Sequence, residues 1–183
     1  MKKSVSSSSR LSLADPVVAN KTTAFKKILL NAVSFQAIWW LGVLYQNQFI
    51  LVSLMLIGLH FLLSDQKRVD VLILLVITAL GAAVDVGLTY SGVFVFASTP
   101  WWLLLLWGYF SLTLNVSLGF AHKFNLPVQV IIGGVSGCLS YLAGAKFDAV
   151  ILPLGMTHSA IILAVIWSVL FPVSLHIAAR LSR

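Results

Sequence analysis

Long apolar blocks, each close to the length that crosses a lipid bilayer, dominate this sequence and restrict what it can fold into. Of the 183 residues, 60% are hydrophobic and 9% are charged, which leaves too few charges to cover the surface of a soluble domain. Windows of about 19 residues place six spans, at residues 28–45, 48–64, 70–90, 101–121, 128–146 and 158–179. The sequence therefore predicts an all-α polytopic membrane protein, with six transmembrane helices in one compact bundle over residues 28–183.

The basic residues predict the orientation of this bundle. If the N-terminus is cytoplasmic, eleven of the twelve Lys and Arg residues lie on the cytoplasmic side and only Lys146 lies outside. This distribution follows the positive-inside rule. The aromatic residues near the opposite interface form a belt, made of Trp39, Trp40, Tyr45, Tyr90, Trp101 and Trp102. We therefore expect both termini in the cytoplasm.

The first 27 residues carry six of the twelve basic residues and the serine-rich run SVSSSSR, a composition that predicts a disordered cytoplasmic tail. The charge is interpreted as a topology signal facing anionic lipid, because no basic patch is interleaved with aromatic side chains as nucleic-acid binding would require. A cleaved signal peptide is the alternative, but the stretch LGVLYQNQ offers no small-residue cleavage site.

Asp85 lies inside the third apolar block, where an unpaired charge costs about 2.5–3.5 kcal/mol. Its helical face is small and polar and must point into the bundle; the face also carries Thr78, Gly81, Ala82 and Thr89. A rise of about 1.5 Å per residue from Asp70 puts Asp85 in the outer half of the membrane. Three arrangements would satisfy the carboxyl group: an ion pair with Lys146, protonation, or contact with a water-filled cavity. The first is structural, and the other two indicate proton coupling or ligand binding.

A second polar level is predicted closer to the cytoplasmic surface. Gln36, His60 and Asn115 fall at similar depths in spans one, two and four, so a cluster of the three is a further candidate site. Asp85 lies too far out to join it directly. The sequence thus predicts two polar levels rather than one continuous relay.

Small residues form a stripe along span five, at Gly133, Gly137, Ser140 and Gly144. Such a stripe lets helices approach closely. Packing within the bundle is the first interpretation, and a homo-oligomer is the alternative.

No catalytic, metal or cofactor site is predicted. Cys138 is the single cysteine, and the four histidines are scattered without a zinc-binding spacing. The sequence also contains no phosphate-binding loop and no Ser-His-Asp arrangement.

Four segments together resemble an uncharacterised bacterial inner-membrane family, domain of unknown function 2878. They are NAVSFQAIWW at 31–40, LGAAVDV at 80–86, PWWLLLLWGYFSLTLNVSL at 100–118 and GGVSGCLSYLAGAKFDAV at 133–150. The residues that match the family pattern are Asn31, Phe35, Gln36, Trp39, Asp85, Asn115, Gly134, Ser140, Tyr141 and Gly144. This chain departs from it at Gly137 and Cys138, where relatives typically have Gly-Pro.

The resemblance implies a multi-pass protein of the bacterial inner membrane without an established activity. It also implies, by gene neighbourhood alone, a link to enzymes resembling cyclopropane-fatty-acid synthases and so to membrane-lipid modification. Ser140 and Tyr141 join the candidate ligand-binding residues through this resemblance.

Three functional hypotheses follow. The first is a non-enzymatic membrane protein that binds a lipid or amphiphile, or anchors partner enzymes of membrane-lipid modification. The alternative is a small transporter or substrate-binding subunit with Asp85 in a ligand or proton site. In size and span count the chain is similar to the S components of energy-coupling-factor vitamin transporters, although their coupling motif has no clear match here. The third is a membrane enzyme that uses Asp85 as acid or base.

Overall fold

A computed structural model describes residues 16–97 and 100–183, with side chains from Lys21 onward, and this part of the chain is helical. The predicted all-α class is therefore confirmed. The six α-helices of the described residues are α1 (Pro16–Tyr45), α2 (Ile50–Leu63), α3 (Lys67–Tyr90), α4 (Trp101–Thr113), α5 (Leu126–Lys146) and α6 (Gly155–Leu181). Short 3-10 helices occupy Gln46–Phe49 and Gly119–Lys123.

Four helical stretches within the described residues are long and apolar enough to cross a membrane, namely Lys21–Leu63, Lys67–Tyr90, Leu126–Lys146 and Gly155–Leu181. The first of them is a hairpin, because its chain turns at Gln46, where φ is 52°. Its two ends meet where Lys27 Nζ lies 2.7 Å from Asp65 Oδ2. The helices indicate a membrane protein. Six crossings with both termini on one side stay a prediction.

The N-terminal helix corrects the predicted disordered tail. α1 begins at Pro16 rather than at residue 28, so residues 16–27 are helical. Proline at the first helical position has its φ preset for a helix, and residues 17–27 contain no glycine or further proline. The remainder of the predicted tail, residues 1–15, lies outside the described residues.

α4 lies at the centre of the bundle. Every residue from 106 to 114 is buried, and the helix packs against α1, α2 and α3. A helix that is buried all round needs no polar face, which accounts for its apolar sequence WWLLLLWGYF.

The predicted fourth span, residues 101–121, is longer than the helix, which ends at Thr113. Asn31 of α1 binds both the last turn of α4 and the residues that follow it. Its Nδ2 donates to the carbonyl of Leu112 at 3.3 Å, and its Oδ1 accepts from the Ser117 amide at 3.2 Å and the Ser117 hydroxyl at 2.6 Å. A buried backbone group must find a hydrogen-bond partner. In a longer helix the Leu112 carbonyl and the Ser117 amide would bond to other backbone groups; here the Asn31 side chain takes their place.

Replacing Asn31 with alanine is expected to lower the free energy of unfolding by about 1–3 kcal/mol, because buried backbone groups lose their partner. Thermal unfolding in mild detergent measures the loss. Gln36→Ala is the matched control, since Gln36 lies on the same helix and is exposed. Equal stability of the two variants would contradict this role for Asn31.

Helices α5 and α6 form the most extensive helix pair of the bundle. Gly133 lies against Phe171, and Gly137 lies against the Trp167 ring, so closely that a Cβ atom at either glycine would overlap its neighbour. Gly133 and Gly137 of the small-residue stripe thus face α6 within the same chain, whereas Ser140 accepts a hydrogen bond from Trp39 of α1. Homo-oligomer formation stays a prediction.

The two ends of the bundle differ in chemistry. The basic end, as we call it, holds the α2–α3 and α4–α5 connections with Lys27, Lys67, Arg68 and Lys123. The aromatic end holds the loops that precede α4 and α6, which pair through reciprocal 2.9 Å hydrogen bonds between Val95 and Ile151. These loops turn Phe94 and Val150 into the interior and close the bundle at this end.

Candidate functional site

The Asp85 carboxylate is buried in the core, with 6% of the residue exposed. Trp107 Nε1 of α4 donates to Oδ2 at 2.6 Å, and the Tyr141 hydroxyl of α5 donates to Oδ1 at 2.6 Å. An indole N–H and a phenolic O–H are both hydrogen-bond donors, which suits two carboxylate acceptors. Each carboxylate oxygen therefore has its own donor.

Stacked aromatic rings surround this carboxylate. The indoles of Trp107 and Trp167 are parallel within 6°, with centroids 5.2 Å apart, and Phe94 stacks on Tyr141 at 5.3 Å. Gly81 of α3 lies directly against the Trp107 ring, where a side chain would overlap it. Contacts of this kind join α3, α4, α5 and α6 at one point of the core.

The predicted ion pair between Asp85 and Lys146 is wrong. Lys146 is exposed, in the last turn of α5, whereas the carboxylate is satisfied by Trp107 and Tyr141. Within the described ranges the ion pairs are Lys27–Asp65 and His60–Asp70. Trp107 and Tyr141 are neutral donors that already lie in the core. An ion pair would instead require burial of the Lys146 ammonium group, and the desolvation of that group is costly.

Lys146→Ala is accordingly expected to change the free energy of unfolding by less than about 0.5 kcal/mol, as is usual for an exposed side chain without a structural contact. Exchanging the two charges, with Lys at 85 and Asp at 146, is expected to leave the defect of the position-85 substitution in place. Both are measured by thermal unfolding. If the exchanged protein regained the stability of the wild-type protein, Asp85 and Lys146 would form an ion pair after all.

Beside the carboxylate lies a partly open cavity of about 60 Å³, which we call the aromatic crevice. Its aromatic lining consists of Phe35, Trp39, Phe96, Trp102, Trp107, Phe110, Tyr141 and Trp167. The aliphatic and small lining residues are Val43, Leu103, Leu106, Ser140, Gly144 and Val150. Both hydrogen-bond donors of Asp85 are thus part of its wall.

The crevice lies between α1 and α5, two helices that are not packed extensively against each other. They are joined by a hydrogen bond of 2.9 Å from Trp39 Nε1 to the Ser140 hydroxyl and by an edge contact between Trp40 and Phe147. Ser140 and Trp39 are half-buried. The paired loops of the aromatic end contribute Phe96 and Val150 to the lining of the crevice.

A second cavity, the basic-end pocket, has a volume of about 280 Å³. Its polar lining includes Lys27, Asn31, Ser34, His60, Ser64, Asp65, Asp70, Tyr109 and Asn115, and its apolar lining includes Leu30, Leu59 and Leu63. His60 Nε2 lies 3.2 Å from Asp70 Oδ2, which also accepts from the Ser64 hydroxyl.

The predicted cluster of Gln36, His60 and Asn115 is formed only in part. His60 and Asn115 line the basic-end pocket, but Gln36 is exposed on α1 and outside it. Asn115 donates to the Ser182 hydroxyl at 2.8 Å, which ties the end of α4 to the C-terminus. Rise per residue predicts only the depth of a side chain in the membrane, whereas its direction around the helix decides which residues it contacts.

Trp107 and Trp167 were missed as site residues. An indole N–H inside an apolar block needs an acceptor, and Asp85 is the unpaired acceptor that the sequence offers. That signal would have suggested Trp107. The stacking of Trp167 has no counterpart in the sequence, because glycines on two other helices make the space for both rings.

Among the residues that the structure describes, no group of three or more His, Cys, Asp or Glu side chains is placed to hold a metal ion. Fold and site together define a helical membrane protein with a buried carboxylate at the junction of its helices. The chain belongs to the family described as protein of unknown function (DUF2878), whose model matches residues 28–173. No curated protein and no solved structure matches the chain.

Proposed function

We propose that this protein is a multi-pass protein of the bacterial inner membrane that binds an amphiphile in the aromatic crevice. Six crossings with both termini in the cytoplasm are supported by the basic residues gathered at one end of the bundle. In this orientation the aromatic crevice lies in the outer half of the membrane.

The single observation that carries the proposal is the crevice itself. It is a partly open apolar cavity lined by α1, α4, α5 and α6, and ligand sites in helical bundles are lined mainly by apolar and aromatic side chains. Because α1 and α5 pack little against each other, we expect the cavity to be reached from the bilayer between these two helices. A lipid-soluble molecule would therefore enter laterally, past the Trp39–Ser140 hydrogen bond.

A substitution that fills the crevice tests this proposal. Ser140→Leu places a larger apolar side chain in the lining and removes the bond to Trp39. Ser136→Leu is the matched control, because Ser136 is exposed one turn earlier on the same helix.

Native mass spectrometry of protein purified in mild detergent detects a retained amphiphile. We expect the wild-type protein and Ser136→Leu to keep a mass adduct that Ser140→Leu loses. If the wild-type protein carries no adduct, or if both variants keep it equally, binding in the crevice is refuted.

A second candidate function is transport of that amphiphile across the membrane. It is favoured by the succession of two cavities along α1 and α4, with Phe35 and Phe110 lining the crevice and Asn31 and Tyr109 lining the basic-end pocket. The rings of Phe35 and Phe110 in the crevice wall are 6.3 Å apart. Movement of a labelled amphiphile between the leaflets of proteoliposomes, compared with Ser140→Leu, tests this function.

A further inference from the structure

The Asp85 carboxylate has hydrogen-bond donors but no cation. Its two partners, Trp107 and Tyr141, are neutral, and neither ion pair of the described residues involves it. Hydrogen bonds stabilise the negative charge without cancelling it. The field of this charge therefore extends into the neighbouring cavity, where water does not screen it as in bulk solution.

The two donors of Asp85 also line the aromatic crevice, so the crevice lies next to this charge. Trp107 and Tyr141 separate Asp85 from the cavity by the thickness of one side chain. The remaining wall includes the rings of Trp39, Trp102 and Trp167. Aromatic faces carry negative potential and attract cations, with tryptophan the most effective.

The size of the crevice restricts the cation. About 60 Å³ is roughly twice the 30 Å³ that one water molecule occupies in liquid water. The crevice therefore admits only a compact head group, such as trimethylammonium with its one nitrogen and three methyl groups, and not an alkyl chain. The crevice lining offers few hydrogen-bond acceptors, with Ser140 the only hydroxyl besides Tyr141, so a primary ammonium group would lose more hydration than the wall replaces.

Resting on the proposed amphiphile binding, we propose that the aromatic crevice selects amphiphiles with a small quaternary ammonium head group and that Asp85 supplies the counter-charge. The head group enters between α1 and α5 and its alkyl chain stays in the bilayer. The alkylated cation keeps no N–H donor that would need a partner, and the aromatic wall and the carboxylate behind it compensate its charge.

Two esters of the same fatty acid test the proposal. Lauroylcholine carries a trimethylammonium head group, and 3,3-dimethylbutyl laurate carries the neutral tert-butyl group of the same shape. Each is titrated into the full-length protein in dodecyl maltoside, with intrinsic tryptophan fluorescence as the readout, because tryptophans line the crevice. Asp85→Asn is compared with the wild-type protein. Asp148→Asn is the matched control, since Asp148 is exposed at the aromatic end.

We expect the choline ester to bind at least about tenfold more tightly than the neutral ester to the wild-type protein and to Asp148→Asn, as an unscreened charge one side chain away requires. Asp85→Asn is expected to bind both esters equally. Equal binding of the two esters to the wild-type protein would overturn the cation selectivity and leave amphiphile binding standing. Binding of neither ester would overturn both.

A cation preference that persists in Asp85→Asn would overturn the role of Asp85. Should that variant be too unstable to titrate, Asp85→Ser takes its place, because serine removes the charge and keeps a hydroxyl oxygen as acceptor for the Trp107 and Tyr141 donors. Asp85→Ser is expected to bind both esters equally. A choline preference that persists in Asp85→Ser would contradict the counter-charge.

Discussion

Asp85→Ala is expected to lower the free energy of unfolding by about 2–4 kcal/mol, because the indole N–H of Trp107 and the hydroxyl of Tyr141 lose their charged acceptor inside the core. Removing the buried charge offsets part of this loss. For a chain of this length the change lowers the melting temperature by on the order of 5–15 °C. Thermal unfolding in mild detergent measures it.

Two comparisons separate this role from a general effect of lost charge. Asp148→Asn, at an exposed carboxylate, is expected to stay within about 0.5 kcal/mol of the wild-type protein. Tyr141→Phe is expected to cost less in the Asp85→Ala background than alone, since the two side chains share one hydrogen bond. Wild-type stability of Asp85→Ala would contradict the hydrogen-bonded site.

Gly81→Ala is expected to destabilise the protein by about 1–3 kcal/mol, the usual cost of overpacking a core. A Cβ atom at Gly81 would overlap the indole of Trp107, which packs on Trp167 behind it. The indole therefore has to shift, and its hydrogen bond to Asp85 shifts with it.

Gly87→Ala, on the same helix, is the matched control and is expected to have the opposite sign. Nothing lies within 4 Å of a Cβ atom at Gly87, and alanine in place of glycine stabilises an open helical position by about 0.5–1 kcal/mol. Both variants are measured by thermal unfolding in the same detergent. Similar effects of the two substitutions would refute the close contact of Gly81 with Trp107.

Predictions from the sequence succeeded where the physical signal is local. Apolar blocks marked the six α-helices of the described residues, because a helix with apolar surroundings satisfies its own backbone and carries apolar side chains. Four helical stretches of the described residues are long and apolar enough to cross a membrane. The predictions were wrong where a contact with another helix affects where a helix ends. α4 ends at Thr113, where Asn31, which precedes Leu112 by 81 positions, supplies a hydrogen-bond donor to the backbone.

The sequence likewise predicted one part of the candidate site, the buried acid, and not the other part, its hydrogen-bond partners. The polarity of one residue within an apolar block singled out Asp85, and the resemblance added Tyr141, but the sequence paired the acid with Lys146. Charge complementarity was the available argument, and it gives no weight to neutral donors. The actual partners stand 22 and 56 positions away, on helices whose rotation about their own axes the sequence does not specify.

The sequence by itself determined that this chain is helical, rich in membrane-spanning stretches and forced to satisfy one buried acid, because hydropathy and the cost of a charge in lipid act on each segment separately. Only the tertiary structure decided that Trp107 and Tyr141 satisfy it and that an aromatic crevice lies beside it. Side chains from α1, α4, α5 and α6 build that crevice, and their meeting depends on how four helices pack, which is a property of the whole bundle rather than of any one segment.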